Sequence, residues 1–137
     1  MDTAKIQKLL KPVITFKTKV SYFKVLEEGL SVGYERRYFT KEQTRIVTLP
    51  VGYADGYPKT STKNGYVYLN KIRYPVAGRV CMDQMMVDIG KDGQAYVGDE
   101  VELWGKNISL HEISQLSERS LYELLCEITQ RVPRIYI

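Results

Sequence analysis

The stretch GYVYLNKIRYPV, residues 65–76, decides the fold class of this chain. It contains two short runs rich in tyrosine and branched apolar residues, Gly65–Leu69 and Ile72–Val76, on either side of Asn70-Lys71. Aromatic and β-branched residues favour strands, whereas Asn is depleted from strands and common in turns. The segment therefore predicts two β-strands separated by a tight turn.

The same alternation of strand and turn signals continues along most of the chain. Turn signals separate further short β runs, for example at Asp55-Gly56, Lys91-Asp92-Gly93 and Gly98-Asp99, and the predicted strands recur at a spacing near ten residues. That spacing is typical of a small antiparallel barrel or sandwich. A longer strand with period two is predicted from Ile14 to Tyr22. The remaining strands are predicted over Arg45–Val51, Met85–Ile89 and Val101–Trp104.

Helices are predicted in the last third of the chain. The run Ser109–Glu112 has the S-x-x-E form of a capping box, which marks a helix start. A second helix is indicated by apolar residues at i, i+3, i+4 and i+7. These residues are Leu121, Leu124, Leu125 and Ile128. Pro133 is expected to end that helix, Ile135–Ile137 to return as a strand, and residues 3–10 to form one further short helix.

Length and composition indicate one ordinary globular domain. With 137 residues, 44% of them hydrophobic and 26% charged, the chain is expected to form a single domain over residues 1–137. Cys81 and Cys126 lack metal or redox spacing and are expected to be free, buried thiols in a reducing compartment. No run reaches 18 apolar residues, so a cytoplasmic location is expected, with membrane tethering only through a missing upstream segment.

The net charge of +4 comes largely from lysines within residues 1–24. Such a segment could bind nucleic acid or an anionic surface, but a solvated or partner-facing segment is the preferred interpretation. Glycine-rich phosphate loops and acidic metal loops are absent from the sequence, so no metal site is predicted. The one histidine, His111, is expected to be an exposed surface residue. Polar chemistry therefore falls to tyrosines (eleven in this chain), arginines and backbone amides.

Four segments place polar groups beside Gly or Pro at the end of an element, where backbone can approach a ligand. They are Ser31–Tyr34, Val51–Pro58, Gly78–Gln84, and Tyr122–Cys126 with Arg131–Arg134. In this order they resemble the C-terminal domain of the alanine racemase family, with GYADGYP (52–58) and GRVCMDQ (78–84) as the most specific matches. The resemblance implies a mainly β fold, a small antiparallel β-barrel of the Greek-key type with one or two short C-terminal helices.

Enzymes of this family interconvert L- and D-alanine, the latter supplied to peptidoglycan. They join an N-terminal (β/α)8 barrel, which holds pyridoxal 5'-phosphate on a lysine, to a β domain of this kind, and act as homodimers. The resemblance therefore implies a cofactor bound by the N-terminal barrel, which residues 1–137 do not contain, and none covalently on this chain. It implies the barrel domain and a second subunit as partners, a small amino-acid substrate, and no nucleic acid or membrane. The domain alone is expected to be inactive.

Racemisation requires two acid/base groups, one on each face of the substrate Cα. The resemblance implies that Tyr34 is the catalytic group on one face and a barrel lysine the other. A phenol, with an ordinary pKa of about 10, is a poor base near neutral pH without nearby cations or donors. The barrel is expected to supply them. Glu35 stands where related sequences often have glycine, and Tyr38 is a weaker candidate for which a structural role is preferred.

The resemblance also assigns binding roles. The backbone amide of Met82 is expected to meet the substrate carboxylate. Tyr53 is expected to narrow the substrate entrance, with Arg79 and Asp83 further out. Tyr122 is expected to hydrogen-bond the cofactor phosphate, and its place on the apolar stripe of its helix is compatible with a partly buried ring.

Two alternatives remain open. A serine racemase of the same family would share these residues, because side-chain selectivity is expected to depend on the barrel. A basic, tyrosine-rich small barrel could instead bind single-stranded nucleic acid by stacking and phosphate contacts, or act as an interaction module.

Overall fold

The strands form one large curled sheet and one small hairpin. A computed structural model describes residues 5, 9–62 and 64–137, so the helix predicted over residues 3–10 lies largely outside the described residues. The strands are β1 (Phe16–Lys19), β2 (Tyr22–Leu26), β3 (Ser31–Val32), β4 (Tyr38–Phe39), β5 (Thr44–Leu49), β6 (Tyr66–Leu69), β7 (Ile72–Ala77), β8 (Met85–Asp88) and β9 (Glu100–Trp104). The mainly β fold is therefore confirmed.

The large sheet has seven strands in the order β1-β9-β6-β7-β8-β5-β2, while β3 pairs with β4 alone. Each paired register is antiparallel. β6, β7 and β8 follow one another as neighbours, and β9 returns to lie beside β6. This is the Greek-key arrangement, in which a fourth strand lies next to the first. The predicted topology type is confirmed.

The two edges of the large sheet are consecutive in the chain. Only Val20 and Ser21 separate β1 from β2, and the N–H of Val20 donates to Asp99 on one edge while that of Ser21 donates to Thr48 on the other. The chain thus passes from one edge to the opposite one and curls the sheet into a barrel. The single strand predicted from Ile14 to Tyr22 is wrong, because this transfer bends the backbone at Val20–Ser21.

The barrel interior is filled by alternate residues of the strands. Trp104 is central, with its ring 4.7 Å from that of Phe16 and 6.4 Å from that of Tyr57, measured between centroids. Val51, Tyr57 and Val80 lie in the same core, each at most 4% exposed. Full burial of such side chains contributes about 1.5–3 kcal/mol each. The GYADGYP and GRVCMDQ segments are therefore anchored in the main core of the domain.

Two helices follow the barrel strands: α1 (Leu110–Ser117) and α2 (Leu121–Glu127). The predicted capping box is confirmed, because Ser109 Oγ accepts from the Glu112 N–H at 3.1 Å and a Glu112 carboxylate oxygen accepts from the Ser109 N–H at 2.9 Å. α2 starts after Ser120, whose side chain accepts from the N–H of Glu123.

The chain after α2 corrects two predictions. α2 ends at Glu127, well before Pro133, and residues 133–137 form no strand. Arg134 donates to three carbonyls, those of Ile128, Thr129 and Val132, and so holds residues 128–134 as a compact turn in place of a longer helix.

The two thiols are both free, but their predicted burial is only partly correct. Cys81 is half-buried, and burial raises the pKa of its thiol, whereas Cys126 is exposed on α2. His111 is exposed, as predicted. Within the described residues, none of the helices is long and apolar enough to cross a membrane.

Candidate active site

A groove of about 840 Å³ lies where three segments of the chain meet. It is lined by five of the six residues to which the sequence assigned a role: Tyr34, Tyr53, Arg79, Met82 and Asp83. They come from the β3–β4 loop, the segment after β5, and the segment between β7 and β8. Residues far apart in the sequence are therefore brought to one place, while Tyr122 does not line the groove.

The β3–β4 loop is held against the GRVCMDQ segment by two glycines. A Cβ on Gly78 would lie 2.5 Å from the carbonyl oxygen of Val32, and one on Gly33 would lie 3.4 Å from the amide nitrogen of Arg79. Both glycines have φ of +77°, a left-handed conformation that side chains disfavour. The close backbone approach fixes the loop that carries Tyr34 beside Arg79.

A second close approach joins the GYADGYP and GRVCMDQ segments. The N–H of Tyr53 donates to the carbonyl of Cys81, and that of Ala54 to the carbonyl of Met82, each at 3.0 Å. A Cβ on Gly52 would collide with the Cys81 carbonyl and lie 2.5 Å from that of Met82. Gly52 therefore allows Tyr53 and Met82 to lie on adjacent backbones.

This pairing orients the amide of Met82. The described peptide bonds are trans, and in a trans peptide the C=O of one residue and the N–H of the next point in opposite directions. Because the Cys81 carbonyl points to the backbone of Tyr53, the Met82 N–H points away from it. No acceptor for that N–H occurs among the described residues, and Met82 is 54% exposed. Met82 thus presents a backbone donor that is free to bind an anion.

Tyr34 begins a 3-10 turn, Tyr34–Arg36, and is 72% exposed. The turn is strained, because Glu35 and Arg36 have φ of 64° and 48° without being glycine. The carboxylate of Glu35 pairs with Arg79 and, at 2.6 Å, with Arg37. Sequence reasoning noted Glu35 only as a departure from the family, and nothing local indicated these two partners.

Tyr38 has a structural position. Its hydroxyl donates to Asp88 at 2.6 Å, and Asp88 also accepts from the Thr44 hydroxyl and the Gly90 N–H. Burial and the Asp88 carboxylate together raise the pKa of the Tyr38 phenol far above its ordinary value. The preferred structural interpretation of Tyr38 therefore agrees with its contacts.

Lys59 is a groove residue that sequence reasoning missed. Its ammonium nitrogen lies 5.3 Å from the ring centroid of Tyr53, a cation–π distance. Together with Arg79 it gives the groove two cationic side chains. Its position in the sequence could have indicated this role, because Lys59 directly follows the GYADGYP segment.

Tyr122 lies on α2 with 80% of its surface exposed, and Leu124 fills the buried position of that helix. The apolar stripe allowed a partly buried Tyr122, but its side chain is exposed because Leu124 occupies the buried position of α2. Its hydroxyl is open to groups outside this chain.

Comparison with known proteins assigns the domain. The model of the family "Alanine racemase, C-terminal domain" matches residues 13–136. The alanine racemase of Halothermothrix orenii is 44% identical over 131 residues, which cover 93% of this chain and 35% of that protein. The chain thus spans about a third of the length of the curated relatives it matches.

Solved structures agree. The biosynthetic alanine racemase of Pseudomonas aeruginosa superimposes with a TM-score of 0.90 at 37% identity, covering all of this chain and 38% of that one. The alanine racemase of Bartonella henselae, solved with covalently bound pyridoxal phosphate, gives 0.86 at 31% identity over 90% of this chain and 34% of that one. A Greek-key barrel with this groove is therefore a β domain of the amino-acid racemase class. The chain belongs to the alanine racemase C-terminal domain family.

Proposed function

We propose that this chain is the C-terminal domain of a pyridoxal-phosphate-dependent alanine racemase and supplies half of its active site. The observation that carries the proposal is the shared groove: the phenol of Tyr34 and the outward-facing N–H of Met82 line one cavity, beside Arg79. A proton-transfer group and an anion-binding donor are the two elements that racemisation of an amino acid requires from this side.

Tyr34 moves the proton on one face of Cα. Its exposure in this chain supports a role completed by another surface, because water must be excluded from the site of proton transfer. The N-terminal barrel of a second subunit would cover the groove, exclude water and supply the charges that favour the phenolate. A homodimer with an N-terminal barrel is accordingly the proposed assembly.

The backbone amide of Met82 binds the substrate carboxylate. The Met82 N–H is aimed away from the backbone pairing that holds it, so a carboxylate can accept its proton without breaking that pairing. Lys59 and Arg79 line the groove together with the carboxylates of Glu35 and Asp83, so the proposed anion-binding group is the Met82 N–H rather than a net positive charge. Tyr53 stands beside them and restricts the passage, with Asp83 at the outer edge.

Pyridoxal 5'-phosphate would be held by the barrel, where it withdraws electrons from Cα and so acidifies the Cα–H. The one residue of this chain proposed to contact it is Tyr122. The 80% exposure of that residue fits a hydroxyl that donates to a phosphate carried by another part of the protein. The proposed setting is the bacterial cytoplasm, where D-alanine is supplied for peptidoglycan.

The test is Tyr34→Phe in the full-length enzyme that contains this domain. Without the phenol, kcat/KM should fall by about 10²–10⁴-fold. The fall is equal in both directions, because the two enantiomers are equally stable. Exchange of the Cα hydrogen with ²H₂O, followed by NMR, should continue for one enantiomer only, since the opposite face keeps its own base.

Tyr22→Phe is the control, because it removes an exposed hydroxyl from β2 outside the groove and should leave both measurements unchanged. Racemisation at wild-type rates in Tyr34→Phe would exclude this residue. Preference for L-serine over L-alanine in the wild-type enzyme would assign the serine-specific alternative. The 137-residue chain alone, given pyridoxal phosphate and L-alanine, should form no measurable D-alanine.

A further inference from the structure

Arg131 has no part in the proton transfer proposed above, yet its guanidinium joins two segments of the groove. Its Nε lies 2.6 Å from Oδ1 of Asp55, and its Nη2 lies 2.5 Å from Oδ1 of Asp83. Asp55 belongs to the GYADGYP segment that carries Tyr53, and Asp83 directly follows Met82. One side chain, from the turn after α2, therefore bridges the two segments whose spacing defines the groove.

The Asp55 end of this bridge is firmly built. Only 14% of the Asp55 side chain is exposed, and its second carboxylate oxygen accepts from the N–H of Gly52 at 2.9 Å. The carbonyl of Asp55 accepts from the N–H of Thr129, and the Thr129 hydroxyl donates to the carbonyl of Ala54 at 2.9 Å. The turn that presents Arg131 is thus packed on the same segment that it contacts.

The Asp83 end is much more open, with 60% of the side chain exposed. Arg131 itself is 48% exposed, so solvent screens both charges and the pair adds little to the free energy of unfolding. The geometry of the contact, however, constrains both carboxylates. The planar fork of a guanidinium fixes the direction of two acceptors at once, whereas a lysine ammonium can only serve as a point charge.

We propose that Arg131 is a positioning residue that holds Asp83, and with it the Met82 N–H, at a fixed spacing from Tyr53. This inference rests on the proposed function, because it assigns the spacing to carboxylate binding. The anchored Asp55 serves as the reference, and Arg131 transmits its position to Asp83 across the groove edge. The substrate carboxylate is bound in the ground state and the transition state alike, so a looser Met82 amide should raise KM rather than lower kcat.

The kinetic test uses Arg131→Met and Arg131→Lys in the full-length enzyme. Both should raise KM for alanine by about 10-fold, with kcat within about twofold of wild type. Arg131→Lys keeps the charge but cannot span both carboxylates, so it should rescue little. If lysine restores the wild-type KM, or if kcat alone falls, the positioning role is wrong.

Arg73→Met is the matched control. Arg73 makes a comparable multidentate contact, to Glu112 at 2.6 Å and to the carbonyl of Asn107 at 2.6 Å, but it does so outside the groove. Its loss should leave KM unchanged. A KM increase equal to that of Arg131→Met would show that any lost ion pair perturbs the enzyme, and would overturn the assignment.

Amide hydrogen exchange on the chain itself separates this inference from the proposed function. Arg131→Met should speed exchange at the N–H groups of Tyr53 and Ala54, which donate to Cys81 and Met82, by at least about 10-fold, and leave core amides such as Val47 unchanged. If exchange rises while the wild-type enzyme proves not to racemise alanine, the bridge stands and the proposed function fails. If exchange is unaltered, the bridge does not hold these segments together and the inference fails.

Discussion

The N–H of Tyr53 donates to the carbonyl of Cys81 over 3.0 Å, and this bond makes two distant segments into one wall of the groove. The residue before Tyr53 allows it. Gly52 is buried against the carbonyls of Cys81 and Met82, with no room for a Cβ. The groove therefore requires glycine at position 52 because there is no space for a side chain, and not because of an unusual backbone conformation.

Gly52→Ala should disrupt this wall. The added methyl would meet backbone oxygens, which cannot rotate away as a flexible side chain can, so the two segments must separate. We expect a loss of about 3 kcal/mol in the free energy of unfolding, measured by urea denaturation.

Gly29→Ala is the control for this prediction. Gly29 has φ of +81° and open space around its Cβ position, so the substitution introduces backbone strain without a collision. It should cost about 1–2 kcal/mol. If Gly52→Ala lowers the free energy of unfolding by less than Gly29→Ala does, the two segments can separate easily and are not tightly packed against each other.

Tyr38→Phe should lower stability by about 1.5 kcal/mol at pH 7, because it removes a hydrogen bond to the Asp88 carboxylate. The folded protein raises the pKa of this phenol, so the stabilisation is complete below the ordinary value of about 10 and is lost as the pH rises above it. The difference between wild type and variant, from urea denaturation, should therefore shrink above pH 10. A difference that is constant with pH would contradict the assigned contact.

The sequence predicted those strands well that depend on residues close together along the chain. β6 and β7 were predicted within one residue at each end, because tyrosine and valine alternate on either side of a clear turn. β3 and β4 were missed: each has only two residues, and the loop between them is held by Gly33 against Gly78, which is far away in the sequence. No pattern of neighbours along the chain carries that information.

For the candidate site, too, some features could be predicted from the sequence and others could not. Four of its six residues lie in two specific motifs, Tyr34 and Tyr122 come from two further segments of the resemblance, and the structure brings five of the six together. The contacts that hold them did not follow. Glu35 with Arg79, and Arg131 with Asp83, join residues 44 and 48 positions apart. The fold determines which residues form such ion pairs. The position of a charged residue in the sequence does not indicate which residue it will contact.

Glu112→Gln should reveal a pH-dependent ion pair. Hydrogen bonding from Arg73 lowers the pKa of the Glu112 carboxyl, so its stabilisation is present above the ordinary pKa of about 4.3 and is lost as the pH falls through the lower folded value. Glutamine preserves the capping box, which isolates the charge. Because the pair is partly exposed, the expected loss at pH 7 is only about 0.5 kcal/mol.

Urea denaturation of wild type and Glu112→Gln at pH 7 and pH 3 checks this prediction. The two proteins should differ at pH 7 and converge at the lower pH, where wild-type Glu112 is increasingly protonated. Glu123→Gln is a useful comparison because Glu123 pairs with Arg119 over a longer distance, 3.4 Å. A difference that grows on acidification would have the wrong sign for a carboxyl whose pKa is lowered.

Glu35 sets two opposing effects against each other, and a pair of variants can separate them. Its left-handed backbone costs about 1–2 kcal/mol, whereas two exposed ion pairs, to Arg79 and Arg37, contribute about 0.2–1 kcal/mol each. Glu35→Gln removes both ion pairs and keeps the strain, so it should be less stable than wild type by about 0.4–2 kcal/mol. Glu35→Gly removes the ion pairs and the strain, and glycine accepts this φ without cost, so it should be more stable than Glu35→Gln by about 1 kcal/mol. Thermal or urea denaturation of the three proteins gives the order. Both variants lack the ion pairs, so a lower stability of Glu35→Gly than of Glu35→Gln would mean that the backbone at residue 35 carries no strain that glycine relieves.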